Sequence, residues 1–314
     1  MQSGCRVVIL DNLCNSKREV IQSLEAISNI RPEFVVGDIR DRQLLKTVFR
    51  AQAIDAVIHF AGLKAVGESV ADPLAYYDNN VTGTLVLLEE MQRAGVNELV
   101  FSSSATVYGD PASTPINESA ACAPTNPYGQ TKWFVEKILA DVARSNLGFK
   151  AVILRYFNPV GAHSSGLIGE NPNGTPNNLM PYILDIARGL RTQLNVFGDD
   201  YPTPDGTGVR DYIHVEDLAA GHLKALEWLD GHNGSLTLNL GTGRGYSVLE
   251  LLKTFEAVSG ISIPYQIVDR RSGDVAVSCA DPSRAALEIG WHAQKGLEEM
   301  CRDAWRFANK KGAA

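Results

Sequence analysis

The chain has 314 residues, enough for two domains or one large α/β unit, and its 45% hydrophobic and 21% charged content is ordinary for a globular protein. Its net charge of −7 disfavours nucleic acid or an anionic membrane as a partner, and no apolar stretch reaches membrane-spanning length. The start, Met1-Gln-Ser-Gly-Cys5, lacks a signal-peptide pattern, and Cys5, Cys14, Cys122, Cys279 and Cys301 have no metal-ligand spacing. No metal is expected, and free thiols in a cytoplasmic protein are the natural reading.

Arg6 to Asp11 is a short apolar run closed by an acid, the pattern of a buried parallel strand. Phe34 to Asp38, Ala56 to Phe60, Leu99 to Ser102 and Ala151 to Arg155 repeat it. Helical segments lie between them at Val20 to Ile27, Arg42 to Ala51, Val81 to Ala94 and Tyr128 to Arg144. Alternating strands and helices predict an α/β fold, a doubly wound parallel sheet of Rossmann type. In such sheets ligands bind beyond the carboxyl ends of the strands, where Asp11, Asp38, Phe60 and Ser102 to Ser104 fall. Asp11 suits both ribose hydroxyls of NAD and would repel the 2′-phosphate of NADP, although a solvated strand-end carboxylate would read the same way. Asp38 fits the adenine edge or a turn cap equally well.

Tyr128-Gly-Gln-Thr-Lys132 places a phenol and an ammonium on one helix face. A phenol loses its proton near pH 10, and lowering that by about three units takes about 4 kcal/mol of differential interaction. Lys132 alone is too little for that; a second positive charge, such as an oxidised nicotinamide, would fit. Tyr-x-x-x-Lys also occurs by chance in many helices, so the weight comes from Ser102-Ser-Ser104 on the preceding strand.

Beyond Phe157 the chain is rich in Gly, Pro and Asn through Pro181, a loop texture suited to gripping substrate. Arg210 and Arg271 are candidate phosphate clamps, though each alone is more often a surface ion pair. His214 reads as a core residue. Leu236 to Leu240 followed by Gly241-Thr-Gly-Arg-Gly245 imitates a dinucleotide phosphate loop, but Tyr246 stands where glycine or alanine is needed. Ser247 is better read as the N-cap of a helix from Val248 to Ser259. No glycine-rich strand–turn–helix precedes Asp11, so the first strand and helix of the sheet are expected to be missing. A chain lacking them should fold poorly and hold NAD weakly.

Ser104, Tyr128 and Lys132 together resemble the extended short-chain dehydrogenase/reductase superfamily. Longer stretches are similar to its UDP-glucose 4-epimerase family: Ile9 to Lys17, His59 to Ser69, Phe101 to Gly109, Leu154 to Ala162, Pro176 to Pro181 and Asp205 to His214. Ser104-Ala-Thr106 lacks the acid that nucleotide-sugar dehydratases carry there. The resemblance implies an NAD-binding domain over 1–157 and a smaller α/β domain over 158–314, mainly for the UDP-sugar, with some segments returning to the first. It implies C4 oxidation of a UDP-hexose, rotation of the 4-keto sugar and re-reduction, with Tyr128 as base, Ser104 on the reacting oxygen, and Lys132 lowering the tyrosine pKa.

Carried over by position, the cofactor residues are Asp11, Asn12, Asp38, Ile39, Phe60, Ala61, Gly62, Lys64, Asn79, Tyr128, Lys132 and Phe157. Those for substrate are Ser104, Asn158, Asn178, Leu179, Arg210, Tyr212, Arg271, Asp274 and Ser278. The family usually forms homodimers through helices that fall here near 79–95 and 127–145. Ser278, where relatives often carry a bulkier side chain, leaves room for UDP-N-acetyl sugars. The rival readings are a silent UDP-sugar-binding homologue and a nucleotide-sugar dehydratase or decarboxylase of the same superfamily.

Overall fold

The structure is a computed structural model; residues 1–312 are described except 175, 177 and 272. Asn177, inside the Pro176 to Pro181 stretch named above, lies outside the described residues. Three short strands and their crossovers begin the chain: β1 (Val8–Asp11), α1 (Val20–Ser28), β2 (Glu33–Val36), α2 (Arg42–Ala51) and β3 (Ala56–His59). After α3 (Val66–Ala71) and α4 (Pro73–Tyr76), a π-helical turn over Tyr77–Thr82 runs into α5 (Gly83–Ala94) and then β4 (Glu98–Ser104). The helix expected from Val81 is thus longer and irregular at its start. π-turns of this kind widen the helix locally and often sit at functional sites.

A 3₁₀ turn over Ala105–Tyr108 leads toward α6 (Pro127–Ser145), β5 (Lys150–Tyr156) and the short β6 (Asn158–Val160). The second half holds α7 (Leu179–Ala187), β7 (Leu194–Phe197), β8 (Val209–His214), α8 (Val215–Gly231) and β9 (Ser235–Leu240). It closes with β10 (Gly245–Ser247), α9 (Val248–Ser259), β11 (Tyr265–Val268), β12 (Val277–Ser278), α10 (Ser283–Ile289) and α11 (Leu297–Gly312). No helix among the described residues is long and apolar enough to cross a membrane.

The order β3-β4-β5-β9 is a four-stranded parallel sheet, and β1 pairs with β2 in a separate parallel ladder. Alternation along the strands sorts the core. Leu99 and Phe101 pack under α5 and α6 with Met91, Val135 and Leu139, while Val100 faces the opposite cluster with Leu218, Leu229 and Trp291. The sheet is therefore covered on both faces, which explains strands that read as continuous apolar runs. The second half contributes β9 to this sheet, and builds its own core from α7, α9 and α11 around β7 and β8. There β8 is flanked by β10 and β12 and also pairs with β6.

The glycine loop after β9 is occupied from within. Asp211 accepts hydrogen bonds from the Thr242 and Gly243 amides (2.8 and 3.0 Å), the Thr242 hydroxyl (2.7 Å) and the Ala280 amide (3.1 Å). The amides a phosphate would need are taken by a buried carboxylate. Ser247 caps α9 in a reciprocal capping box with Glu250.

Candidate active site

Asn126 starts α6: its side chain accepts from the Gly129 amide at 2.9 Å, and Pro127 occupies the first helical position. Tyr128 consequently sits in the first turn, at the positive end of the helix, where a phenolate is favoured. Lys132 lies one turn on, buried, and its Nζ donates to the Ser102 carbonyl at 2.6 Å. The ammonium also lies 4.9 Å from the Phe101 ring centroid and 6.0 Å from that of Tyr128. Burial pulls Lys132 down to about 8, and Glu136 partly restores it. Burial raises Tyr128 above its ordinary value, and the neighbouring Ser104 hydroxyl opposes that. The chain alone therefore does not bring the phenol near neutrality.

Ser104 ends β4 and caps the 3₁₀ turn, accepting from the Thr106 amide (3.2 Å) and hydroxyl (3.0 Å). With both acceptor positions used, its own proton is left to donate. Ser104, Tyr128 and Lys132 thus come together where the sequence placed them, at the carboxyl end of the parallel sheet.

Over the lysine passes the loop that follows β3. A Cβ at Gly62 would lie 3.4 Å from Asn80 Oδ1 and 3.5 Å from Lys132 Nζ, ordinary contact distances that place this loop directly against the lysine. Asn80 clamps this loop by accepting from the Leu63 amide (2.8 Å) and donating to the Leu63 carbonyl (3.0 Å) and Thr131 (3.0 Å). Asn79, buried beside it, donates to Asn80 Oδ1 at 2.9 Å. Asn80 was not singled out from the sequence; its signal is a polar pair inside an otherwise apolar helical run.

At the end of β1, Asp11 Oδ1 accepts from the Leu13 amide (2.7 Å) and the Ser16 hydroxyl (2.8 Å), leaving Oδ2 without a partner among the described residues. Asp38 lies just past β2 and accepts from Asn12 at 3.0 Å, while Arg40 forks onto both its oxygens at 2.9 and 2.8 Å. That guanidinium holds the Asp38 carboxyl far below the usual carboxylate range. Arg40, which also pairs with Asp78, carries no pattern in the sequence that would have flagged it. Ile39 is buried beneath Gly83.

Phe60 is 57% exposed, with its ring 4.8 Å from that of His222, and Ala61 lies beside it in the same loop. Lys64 pairs with Glu170 at 3.3 Å, and Asn178 donates to the same carboxylate oxygen at 2.7 Å. Glu170, missed in the sequence, thus ties a cofactor candidate to a substrate candidate. Phe157 is buried with Val107, Tyr108 and Ile116.

A second cluster forms on the β8 sheet. Asn158 is opposite Tyr212, and Ser278 is opposite Arg210. Arg210 donates to the Val275 carbonyl at 2.8 Å and lies 3.9 Å from Asp274; Arg271 donates to Asp274 at 2.9 Å. Both guanidinium groups therefore converge on Asp274, and Arg271 also covers the Phe197 ring at 4.7 Å. Tyr212 is buried and pushed up to about 12 by that burial. Leu179 starts α7 beside this core. His214 is a core residue, its Nε2 3.2 Å from Asp303 and its Nδ1 accepting from the Glu216 amide.

Residues 1–241 match the NAD dependent epimerase/dehydratase family. The chain belongs to that family. A UDP-glucose 4-epimerase of Neisseria meningitidis is 56% identical over 310 residues, covering 98% of this chain and 91% of the relative. The crystal structure of a UDP-glucose-4-epimerase from Stenotrophomonas maltophila, with bound NAD and formylated UDP-arabinopyranose, superposes with a TM-score of 0.97 at 53% identity. That match covers 99% of this chain and 93% of the other. The UDP-glucose 4-epimerase of Bifidobacterium longum, in complex with NAD+ and UDP, gives a TM-score of 0.96 at 49% identity, with the same coverages. The expectation of a sheet missing its first strand and helix, and of weak NAD binding for that reason, gains no support from these likenesses.

Proposed function

We propose that this chain is an NAD-dependent isomerase that interconverts UDP-glucose and UDP-galactose. The observation that carries the reading is the pair of half-buried Tyr128 and buried Lys132 on the first turns of α6, facing Ser104 at the end of β4. The relatives named above, similar over nearly the whole chain, support it.

The residues present fit NAD. Asp11 has a carboxylate oxygen without a partner among the described residues, suited to ribose hydroxyls. Asp38, Asn12 and Ile39 would flank the adenine, while Phe60 to Lys64, Asn79, Phe157 and Lys132 would surround the nicotinamide end. When bound, NAD accepts hydride from the sugar C4 and returns it to the other face. Tyr128 accepts the proton of the 4-hydroxyl and later gives it back, so the net reaction is redox-neutral. The Ser104 hydroxyl holds that oxygen in place, and Lys132 supplies a fixed positive charge beside the phenol.

On this reading 1–157 serves mainly the cofactor and 158–314 mainly the sugar nucleotide. Arg210 and Arg271 would grip the diphosphate, with Asp274 holding the two guanidinium groups in register. Asn158, Asn178, Leu179 and Tyr212 would line the sugar side. Ser278 is small, so the same site would admit a 2-acetamido group and act on UDP-N-acetyl sugars. Exposed Phe134 on α6 and Leu85 on α5 support a homodimer through these two helices. The reading places the protein in galactose metabolism in the cytoplasm. The test is product analysis by NMR after incubation of the purified chain with UDP-galactose. Epimerisation gives UDP-glucose of unchanged mass, whereas a dehydratase or decarboxylase gives a lighter product, and a silent binding homologue gives none.

A further inference from the structure

Three consecutive serines on β4 face α6 with three different tasks. The Ser102 carbonyl accepts from Lys132, Ser103 Oγ donates to Glu136 Oε1, and Ser104 faces Tyr128. Glu136 lies one helical turn beyond Lys132 and is 4% exposed. Arg155, also 4% exposed and paired with Ser103 across the β4–β5 ladder, reaches the same carboxylate through Nη2 (2.6 Å) and Nε (3.0 Å). Its remaining Nη1 donates to the Tyr108 hydroxyl at 3.0 Å, which donates in turn to Asn239 on β9 at 2.7 Å. The Asn239 amide nitrogen Nδ2 donates to the Ile116 carbonyl at 2.8 Å. A chain of buried polar groups therefore crosses from α6 through β4 and β5 to β9.

A buried ion pair is weak evidence for stability, since taking two charges out of water offsets most of their attraction. What a fully satisfied pair does well is fix one register. Here the register fixed is that of α6 against β4, the two elements that carry the reacting groups. The carboxylate also bears on the lysine. Around Lys132 stand neutral His59 from β3, the Phe101 ring and Ser102 carbonyl from β4, Asn80 from the π-turn, and Tyr128 and Glu136 on its own helix. His59 is kept uncharged, pushed down to about 3 by burial and by Lys132 itself. Glu136 is the carboxylate that acts on Lys132.

We infer that Glu136 and Arg155 are positioning residues: Arg155 anchors the Glu136 carboxylate one turn behind Lys132, and that carboxylate holds the Lys132 ammonium in place at the Ser102 carbonyl beside Tyr128. The inference rests on the epimerase reading for its catalytic meaning, but its physical content concerns Lys132 alone and is measurable without turnover. The experiment follows the Lys132 ammonium by NMR in full-length protein carrying ¹⁵N-labelled lysine, the signal being assigned by its loss in Lys132→Met. Two variants are titrated, Glu136→Gln and the double variant Glu136→Gln/Arg155→Met, the latter leaving no unpaired buried guanidinium.

Both variants are expected to move the Lys132 midpoint to lower pH by about one unit or more. The alkaline limb of kcat should move the same way, so that lost activity returns as the pH is lowered toward 6.5. A folded double variant whose Lys132 titrates with the unaltered protein, and whose kcat falls equally at every pH, overturns the inference. Failure of the unaltered protein to epimerise would contradict the proposed function instead, and the lysine titration would still decide the role of Glu136.

Discussion

At the residue scale, the site joins a phenol that burial holds protonated to a lysine that burial makes ready to lose its proton. Lys132 falls to about 8 in the folded chain from about 10.5 in the unfolded one, so the unfolded state binds the extra proton between these values. Stability from this group therefore rises as pH rises from 8 toward 10. Buried Cys279 and Cys301, both pushed up to about 12, act in the opposite direction as pH rises, because unfolding lets them ionise. The difference in denaturant stability between the natural protein and Lys132→Met cancels the thiols. It should grow in favour of the natural protein from pH 8 to 10; a difference constant with pH would show that Lys132 is not depressed.

Ser278 belongs to the same scale. On the proposed reading, a tyrosine at this position opposite Arg210 would occupy the space that a 2-acetamido group needs. Ser278→Tyr should lower kcat/KM for UDP-N-acetylglucosamine about tenfold or more relative to UDP-glucose, in line with what steric exclusion achieves in a pocket. Equal losses on both substrates would remove Ser278 from the specificity argument.

At the scale of elements, the turn after β9 shows how a misleading motif is resolved. Gly241 to Gly245 looks like a phosphate loop, yet Asp211 on β8 already accepts from its amides and from Ala280. Burial raises the carboxyl of Asp211 and those donors oppose the rise. Asp211→Ala would take the acceptor from the buried Ala280 amide and the part-buried Thr242 and Gly243 amides, and should destabilise the fold by about 3 kcal/mol, read from urea unfolding. A change under about 1 kcal/mol would mean that water satisfies the turn as well.

The elements were legible where a repeating pattern exists. The strand ends, the Tyr128–Lys132 helix and the Ser247 cap were all visible from spacing and end chemistry. Asn80, Arg40, Glu170 and Glu136 were not, because each matters through a partner that only folding brings near: Leu63, Asp38, Lys64 and Arg155. The π-turn before α5 was missed for a related reason. Its extra residue is dictated by packing of Asn79 and Asn80 over α6, and apolar periodicity does not encode it. Short strands also ended earlier than expected, leaving Asp38 and Phe60 in the loops that follow β2 and β3.

At the scale of the whole molecule, the proposed site draws one half from the parallel sheet and the other from the β8 sheet, and Glu170 links them by pairing with Lys64 and accepting from Asn178. Exposed Phe134, 5.9 Å from Tyr77 between ring centroids, and Leu85 lie on the helices that would form the dimer. Sedimentation velocity should show a dimer for the natural protein and a shift toward monomer for Phe134→Glu, since a buried charge at such a face costs several kcal/mol. An unchanged sedimentation coefficient would place the interface elsewhere.

In the proposed reaction the hydrogen at C4 leaves and returns within one site while Tyr128 handles only the hydroxyl proton. Incubating the protein with UDP-galactose deuterated at C4, in ordinary water, tests it most directly. UDP-glucose that keeps its deuterium at C4 is the predicted product; loss of that deuterium to solvent, or a product lighter by one water, would contradict the account.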